Sequence, residues 1–240
     1  MASTTDNMGS SPILSQQLLL HVAEELKMPF QQIARQAEYG QINGVADLVK
    51  IQSTADMALK LLDSYALGIN LSMQPELLIF EPISIASVLY DTGHELDKLA
   101  KNYGVSLELD IAGKYGPVMA NRKGLQAALV SLGAALIEAL PALESRQLKL
   151  HLATHRSRSG IVAGLYTDMQ QVNSSVLAKG QKLQGKSRQP LSGFTHTSGA
   201  GVFVAENILN SMDLKLHASR HQKLYGLGTI LQLNPQLSLL

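Results

Sequence analysis

Two side chains near the N-terminus, His21 and Glu24, have types and spacing that allow chemistry between neighbours on a helix. They lie three positions apart in a segment of helical periodicity, so they share nearly one face and are separated by about 4.5 Å along its axis. The imidazole can accept a phosphoryl group, or it can simply be a partly exposed histidine paired with Glu24 or Glu25. An acidic residue, Glu25, directly follows Glu24, whereas Val22 follows His21. This favours the interpretation of His21 as a partly exposed histidine without a phosphoryl role.

A second group of candidates lies in the C-terminal half. Gly199 and Gly201 precede an apolar helical segment, and backbone N–H groups at such a helix start can hold a phosphate. Glycines also cap helices for structural reasons, so the pattern alone is weak. Asp168 follows an apolar strand and can equally be a surface turn residue. The other histidines are scattered without metal-site spacing, and the absence of cysteine excludes thiolate chemistry.

Two helices must position His21 and Glu24. Ser11-Pro12 starts the first, which is predicted to end at residue 39, and glycines in 40–44 predict a turn before a second helix that ends near residue 71. The second helix carries one apolar stripe in steps of three and four, and beside it a shorter stripe. These stripes are Leu48, Ala55, Leu59, Leu62, Ala66 and Ile69, and Ile51, Ala58 and Tyr65. A hairpin with two apolar faces predicts a homodimeric four-helix bundle; packing on the chain's own C-terminal domain is the alternative.

The remainder has a mixed α/β rhythm after a break at 73–76. Strands are predicted at 77–80, 105–111, 118–120, 148–154, 160–166, 214–219 and 227–233, helices at 84–103, 123–139 and 202–211, and a mobile loop at 173–198. The domain organisation is therefore a tail at 1–10, a helical hairpin at 11–72 and an α/β domain at 76–240.

Composition limits the class of protein. The 240 residues are 45% hydrophobic and 16% charged, which predicts a globular chain. A net charge of +1 gives no reason to expect nucleic acid as a partner. The sequence shows no apolar run long enough for membrane insertion and no signal peptide. The absence of cysteine fits a cytoplasmic location.

The order of these elements resembles the core of a sensor histidine kinase, a dimerising helical hairpin followed by an ATP-binding two-layer α/β sandwich. Residues 24–30, EELKMPF, are similar to the phosphoacceptor motif His-Glu-Leu-Arg-Thr-Pro-Leu. Residues 80–83, 121–139, 198–210 and 226–229 resemble, in order, the start of the sandwich, its asparagine-bearing helix, its last glycine box with the following helix, and the turn before the last strand. The ordered series carries more weight than any single segment.

The resemblance implies that the phosphoacceptor and metal-binding residues of the family are replaced. Glu24 stands in the place of the phosphorylated histidine. Ser131 and Ala135 align with two asparagines, and Ala135 replaces the family's magnesium ligand with a methyl group. Glu138, three residues on, is an unsupported substitute ligand.

The glycine boxes of the family are also altered. Asp168 aligns with the aspartate that bonds adenine in the family, but Gln170 and Val172 replace the glycines of that box. Gly199 and Gly201 are kept in the last box, where Phe203 replaces the third glycine. We therefore expect that ATP and magnesium binding, and with it autophosphorylation, are lost.

The sequence favours a histidine-kinase-like signalling protein that has lost catalysis and works by dimerisation and protein binding. Its partner would be a response-regulator receiver domain or a true histidine kinase. By the resemblance, a receiver would dock on the lower hairpin, at Ile33, Gln36, Ala37, Val49, Gln52 and Ser53. Each of these residues can equally be ordinary helix surface or core. The alternatives are a histidine phosphotransferase using His21, a structural assembly subunit and, least favoured, an active divergent kinase.

Overall fold

The computed structural model describes residues 11–74, 78–111, 113, 115–142, 148–184, 187, 189–192 and 199–233. The predicted tail at 1–10 and most of the predicted linker lie outside this part of the chain. Six α-helices and seven strands are described. They are α1 (Ser11–Asn43), α2 (Leu48–Met73), β1 (Glu81–Ile83), α3 (Ile85–Asn102), β2 (Ser106–Ile111), β3 (Val118–Ala120), α4 (Arg122–Ala139), β4 (Lys149–Ser157), β5 (Gly160–Thr167), α5 (Ser174–Leu183), α6 (Ala200–Ser211), β6 (His217–His221) and β7 (Leu224–Leu231).

Helices α1 and α2 form a hairpin joined by residues 44–47. Asp47 caps α2, because its carboxylate accepts a hydrogen bond from the Lys50 backbone N–H at 3.0 Å. The prediction that Gly40 belongs to the turn is wrong, since α1 continues to Asn43. The chain reverses so tightly that a Cβ atom on Gly40 would lie 2.5 Å from the Cβ atom of Ala46. Gly40 is therefore needed for close approach inside the helix.

The rest of the described chain is a two-layer α/β unit. Strands pair in the order β2-β4-β5-β7-β6, with β2 parallel to β4 and the other neighbours antiparallel, while β1 and β3 form a separate antiparallel pair. Helix α4 lacks charges between Lys123 and Glu138 and is buried almost all round, as its apolar sequence dictates. It packs between α3 and α6 and against β4 and β5. This part confirms the predicted α/β sandwich.

One face of the hairpin packs on the α/β unit. Ala58, Leu61 and Tyr65 of α2 are buried, and α2 contacts α4 and α6. At Gly68 a Cβ atom would lie 3.1 Å from Cγ1 of Ile208 on α6. This face of the hairpin therefore packs on the chain's own C-terminal domain, as the alternative interpretation predicted.

The other face of α2 is not covered by any residue in the described ranges. Leu48, Leu59 and Leu62 are 70%, 58% and 36% exposed. They belong to the longer of the two apolar stripes predicted on α2. A protein chain seldom leaves such a row of large apolar side chains in water, so this face is available for a second helical surface.

Several element boundaries differ from the sequence-based predictions. The strand predicted at 77–80 is wrong over 78–80 and lies at Glu81–Ile83, where β1 pairs with β3. The loop predicted at 173–198 is wrong over the helix α5, which starts after Asn173 because that side chain accepts hydrogen bonds from the N–H groups of Ser175 and Val176. Residues 226–229 lie inside β7 and form no turn.

Candidate functional site

The first candidate region is the contact between α4 and α6. Asn121 caps α4 by accepting a hydrogen bond from the Gly124 N–H at 2.8 Å, and Gly199, in the left-handed conformation with φ of 69°, precedes α6. A Cβ atom on Gly201 would lie 2.5 Å from the carbonyl oxygen of Ser131 and 3.2 Å from the Cβ atom of Ala135. The structure therefore brings Ser131, Ala135 and Gly201 into direct backbone packing.

Burial around this contact is nearly complete. Ala135 is 5% exposed, and Phe203, two residues after Gly201 on α6, lies in the same hydrophobic core. The Ser131 hydroxyl is buried and makes no hydrogen bond to a described atom. Two helices that touch through a glycine and a carbonyl oxygen leave no gap for a phosphate chain at that point.

Asp168 lies at the end of β5, away from this packing contact in sequence but next to the same core. Its carboxylate accepts a 3.4 Å hydrogen bond from the Thr167 hydroxyl. Of the two residues that replace glycines in the aligned box, Val172 is buried in the core and Gln170 is exposed. Val172 thus fills space in the molecule, while Gln170 projects from the turn.

Helix α5 is linked to α6 by a side-chain hydrogen bond. Its Leu177 belongs to the core, and its Gln181 donates a hydrogen bond to Glu206 of α6. Burial raises the pKa of Glu206 above its ordinary value, and the hydrogen bond from Gln181 opposes that shift. Helices α5 and α6 are therefore held together by a partly buried carboxyl group.

Ala135, which aligns with the family's magnesium ligand, has no side-chain oxygen to offer a metal. Magnesium requires oxygen ligands near 2.1 Å, and a methyl group at Ala135 supplies none. The backbone amides at the start of α6 are close to α4, because Gly201 is in contact with Ser131. Glu138, the possible substitute ligand, is partly buried and already has an interaction within the chain. Among the described residues, no group of three acidic, histidine or cysteine side chains has metal-site geometry.

The hairpin carries the second candidate region. The backbone at His21 and Glu24 is helical within α1, but their side chains lie outside the part that the structure describes. Their proximity therefore remains a prediction from the spacing.

The six candidate partner contacts fall on neighbouring parts of α1 and α2. Ala37, Val49 and Gln52 are exposed, whereas Ile33, Gln36 and Ser53 are partly buried. This arrangement leaves three side chains fully available to a partner.

A cleft of about 290 Å³ lies beside these residues. It is lined by Gln32, Arg35, Gln36, Lys50, Thr54, Asn102 and Tyr103. Asn102 at the end of α3 also donates a hydrogen bond to the Ser53 hydroxyl. The candidate surface therefore borders the α/β unit, which the sequence did not predict.

Other contacts between the hairpin and the α/β unit were also not predicted from sequence. Lys60 of α2 lies 3.5 Å from Glu95 of α3, and Gln126 of α4 donates to the same carboxylate at 3.0 Å. These partners are separated by more than thirty positions along the chain. No local pattern indicates such a pair, because each residue alone reads as an exposed polar position on its helix.

No protein-family model matches the sequence, and no curated protein matches it. Solved structures do. The chain is similar to the Acinetobacter baumannii histidine kinase AdeS, with a TM-score of 0.53 and 16% identity over 88% of this chain and 98% of that one. It is similar to the histidine kinase ThkA in its complex with the response regulator TrrA, with a TM-score of 0.51 and 11% identity over 97% and 69%. It is also similar to full-length ShkA in complex with AMPPNP, with a TM-score of 0.52 and 10% identity over 93% and 46%.

The chain therefore has the fold of the histidine kinase core, and the resemblance predicted from the ordered segments is confirmed at the level of fold. At these identities the likeness defines architecture and assigns no activity. Among the described helices, none has both the length and the apolar character needed to cross a membrane.

Proposed function

We propose that this chain is a histidine-kinase-like protein of a two-component pathway that acts through dimerisation and protein binding and has lost catalysis. The proposed units are the hairpin at 11–72 and a degenerate ATP-binding-like domain at 76–240, working in the cytoplasm. The fold supports membership of a two-component pathway, and the residues at the aligned positions support a binding role over a catalytic one.

The packing of α6 on α4 carries the proposal against catalysis. A kinase of this fold has to hold ATP and magnesium in its α/β unit, but the aligned position offers the methyl group of Ala135, and Gly201 lies against the Ser131 backbone. Opening this contact would expose buried apolar surface at a cost of about 25 cal/mol per Å². We infer that useful magnesium-dependent ATP binding is absent.

The open face of α2 supports the binding role. Leu48, Leu59 and Leu62 form an apolar row that the described part of the chain does not cover. Two hairpins that join through these rows would make a four-helix bundle, so we infer a homodimer. The exposed Ala37, Val49 and Gln52 would then remain available for a receiver domain or for a histidine kinase.

Isothermal titration calorimetry with ATP and magnesium tests the loss of nucleotide binding. We expect no heat of binding at ligand concentrations up to the millimolar range. A dissociation constant in the low micromolar range would show that nucleotide reaches this region and that the proposed alignment of the pocket is wrong.

A histidine phosphotransferase that uses His21 is the second candidate function. It shares the proposed loss of ATP binding, and it needs only one histidine on a helix of the kinase fold, which α1 supplies. A structural assembly subunit is the third candidate, and partners unrelated to signalling would favour it. Transfer of label from a phosphorylated receiver separates the phosphotransferase from the other two.

A further inference from the structure

The two edge strands of the five-stranded sheet are joined by a side-chain contact. Asp110 lies on β2 and His221 on β6, at opposite ends of the strand order. Their Oδ2 and Nε2 atoms are 2.7 Å apart, so the ring donates to the carboxylate, and Gln222 donates to the same oxygen at 3.0 Å. In a flat sheet four strand spacings would separate these edges by about 19 Å.

Strong twist explains how the edges meet. A twist of about 20–25° per strand adds up to roughly a right angle over four steps, so the end of β6 swings across one face of the sheet. Glycines permit this close coiling. A Cβ atom on Gly226 of β7 would lie 2.0 Å from the Leu165 carbonyl oxygen and 2.5 Å from Cδ1 of Tyr166. The result is a concave face opposite the helices.

Aromatic and imidazole rings fill this concave face. Tyr166 is fully buried, and its hydroxyl lies 3.0 Å from the Ser219 hydroxyl and 3.5 Å from Nδ1 of His155. The ring centroids of His155 and His221 are 5.4 Å apart, and those of Tyr166 and His221 are also 5.4 Å apart. The His221 ring therefore contacts the rings of β4 and β5 while it binds the carboxylate of β2.

Few charges are available to balance a new charge in this cluster. Glu108 of β2 is engaged by Lys149 at 2.6 Å and lies 3.3 Å from His151, both on β4. Asp110 is engaged by His221. The remaining titratable and charged groups of the surrounding strands and of the β6–β7 turn are His155, Arg156, Tyr166, His217, Arg220, Lys223 and Tyr225. Arg220 stacks on the ring of Tyr225, and helix α5, which contacts β6, adds only the cations Lys179 and Lys182.

We propose that this cluster is an acid-sensitive latch, in which protonation of His155 drives it away from His221 and releases β6 from Asp110. A proton on His155 would place a positive charge on a half-buried ring beside a second imidazole, and no described carboxylate contacts that ring. The cost of burying this charge and its repulsion from His221 are both relieved when the end of β6 moves off the concave face. The latch does not depend on the proposed signalling function.

The direction of the pH dependence follows from the cluster. Burial, and next the charge of His221, lower the pKa of His155 below its ordinary value of 6.5. A histidine whose pKa is lowered by folding stabilises the closed state above the pKa of the open state. That stabilisation falls as the pH drops below about 6.5, by at most about tenfold in the closing equilibrium per pH unit for one proton.

Hydrogen exchange of the β6 amides between pH 7.5 and 5 tests the latch. After correction for intrinsic exchange, protection at residues 217–221 should fall by up to about tenfold per pH unit below 6.5, while the central β5 amides keep theirs. His155→Phe keeps a ring in place and removes the proton site, so its β6 protection should be independent of pH. His217→Phe, at an exposed position of the same strand, is the matched control and should behave like the wild type.

Proton NMR titration of the histidine rings in the wild-type chain supplies a test that needs no variant. The His155 ring should titrate below 6.5, together with the loss of β6 protection. A His155 ring that titrates at or above 6.5 would overturn the latch. Equal pH dependence of β6 exchange in the wild type and His155→Phe would overturn it as well.

Discussion

Replacing Gly201 with alanine tests how closely α6 packs on α4. The new Cβ atom would lie 2.5 Å from the Ser131 carbonyl oxygen, and this backbone atom cannot rotate away. Overpacking of this kind costs about 1–3 kcal/mol, and the better helix propensity of alanine returns up to about 1 kcal/mol. We expect Gly201→Ala to lower the free energy of unfolding by about 1–2 kcal/mol.

Gly93→Ala is the matched control for this substitution. Gly93 is also buried in a helix, but its nearest described neighbour beyond the helix is Cδ2 of Leu109 at 3.5 Å, an ordinary contact. This variant should be more stable than the wild type by about 0.5–1 kcal/mol. In urea denaturation the two midpoints should move in opposite directions, downward by about 0.5–1 M for Gly201→Ala and upward by about half as much for Gly93→Ala, at a slope of about 2 kcal/mol per M. A Gly201→Ala protein as stable as the wild type would refute the close α4–α6 contact on which the loss of nucleotide binding is inferred.

Two further predictions concern the hairpin and the sheet. Leu59→Glu should convert the proposed dimer into a species of 25.9 kDa in light scattering, because a buried unpaired charge costs several kcal/mol. The control Gln52→Glu should leave the mass unchanged. A wild-type monomer at micromolar concentration would contradict the dimer. Burial raises the pKa of Tyr166 to about 12, so one tyrosine should ionise late in an ultraviolet titration. Folding favours the protonated phenol, so the stabilisation from Tyr166 is complete below pH 10 and is lost as the pH rises toward 12. Tyr166→Phe should remove the late ionisation step. A late step that persists in this variant would belong to another tyrosine.

Apolar runs and apolar alternation in the sequence predicted some elements closely. The long apolar run of α4 and the alternation from Val105 to Ile111 each gave an element within one or two residues of the observed one. Helix α5 escaped prediction because serine, glycine, lysine and glutamine make up most of its sequence, and its buried residues are only Leu177 and Gly180. Local pattern does not report a contact made by so few residues.

Some candidate-site residues could be found from sequence motifs, and others could not. Alignment of local motifs brought Ser131, Ala135 and Gly201 to attention, and the structure places them together. The bond between Asp110 and His221 spans 111 positions and depends on the coiling of the whole sheet, so no spacing rule predicts it. Sequence therefore identifies residues that belong to a local motif, and tertiary structure is needed for contacts between residues that belong to none.

Transfer of label from a phosphorylated receiver domain tests the central claim most directly. The wild-type chain, Glu24→Lys and His21→Gln should be mixed in turn with the labelled receiver, and both the label on the chain and the receiver bound to it should be measured. A protein that works by binding should acquire no label, and receiver binding should weaken in Glu24→Lys and persist in His21→Gln. Label that appears on the wild-type chain and disappears in His21→Gln would contradict the non-catalytic account and establish phosphotransfer through His21.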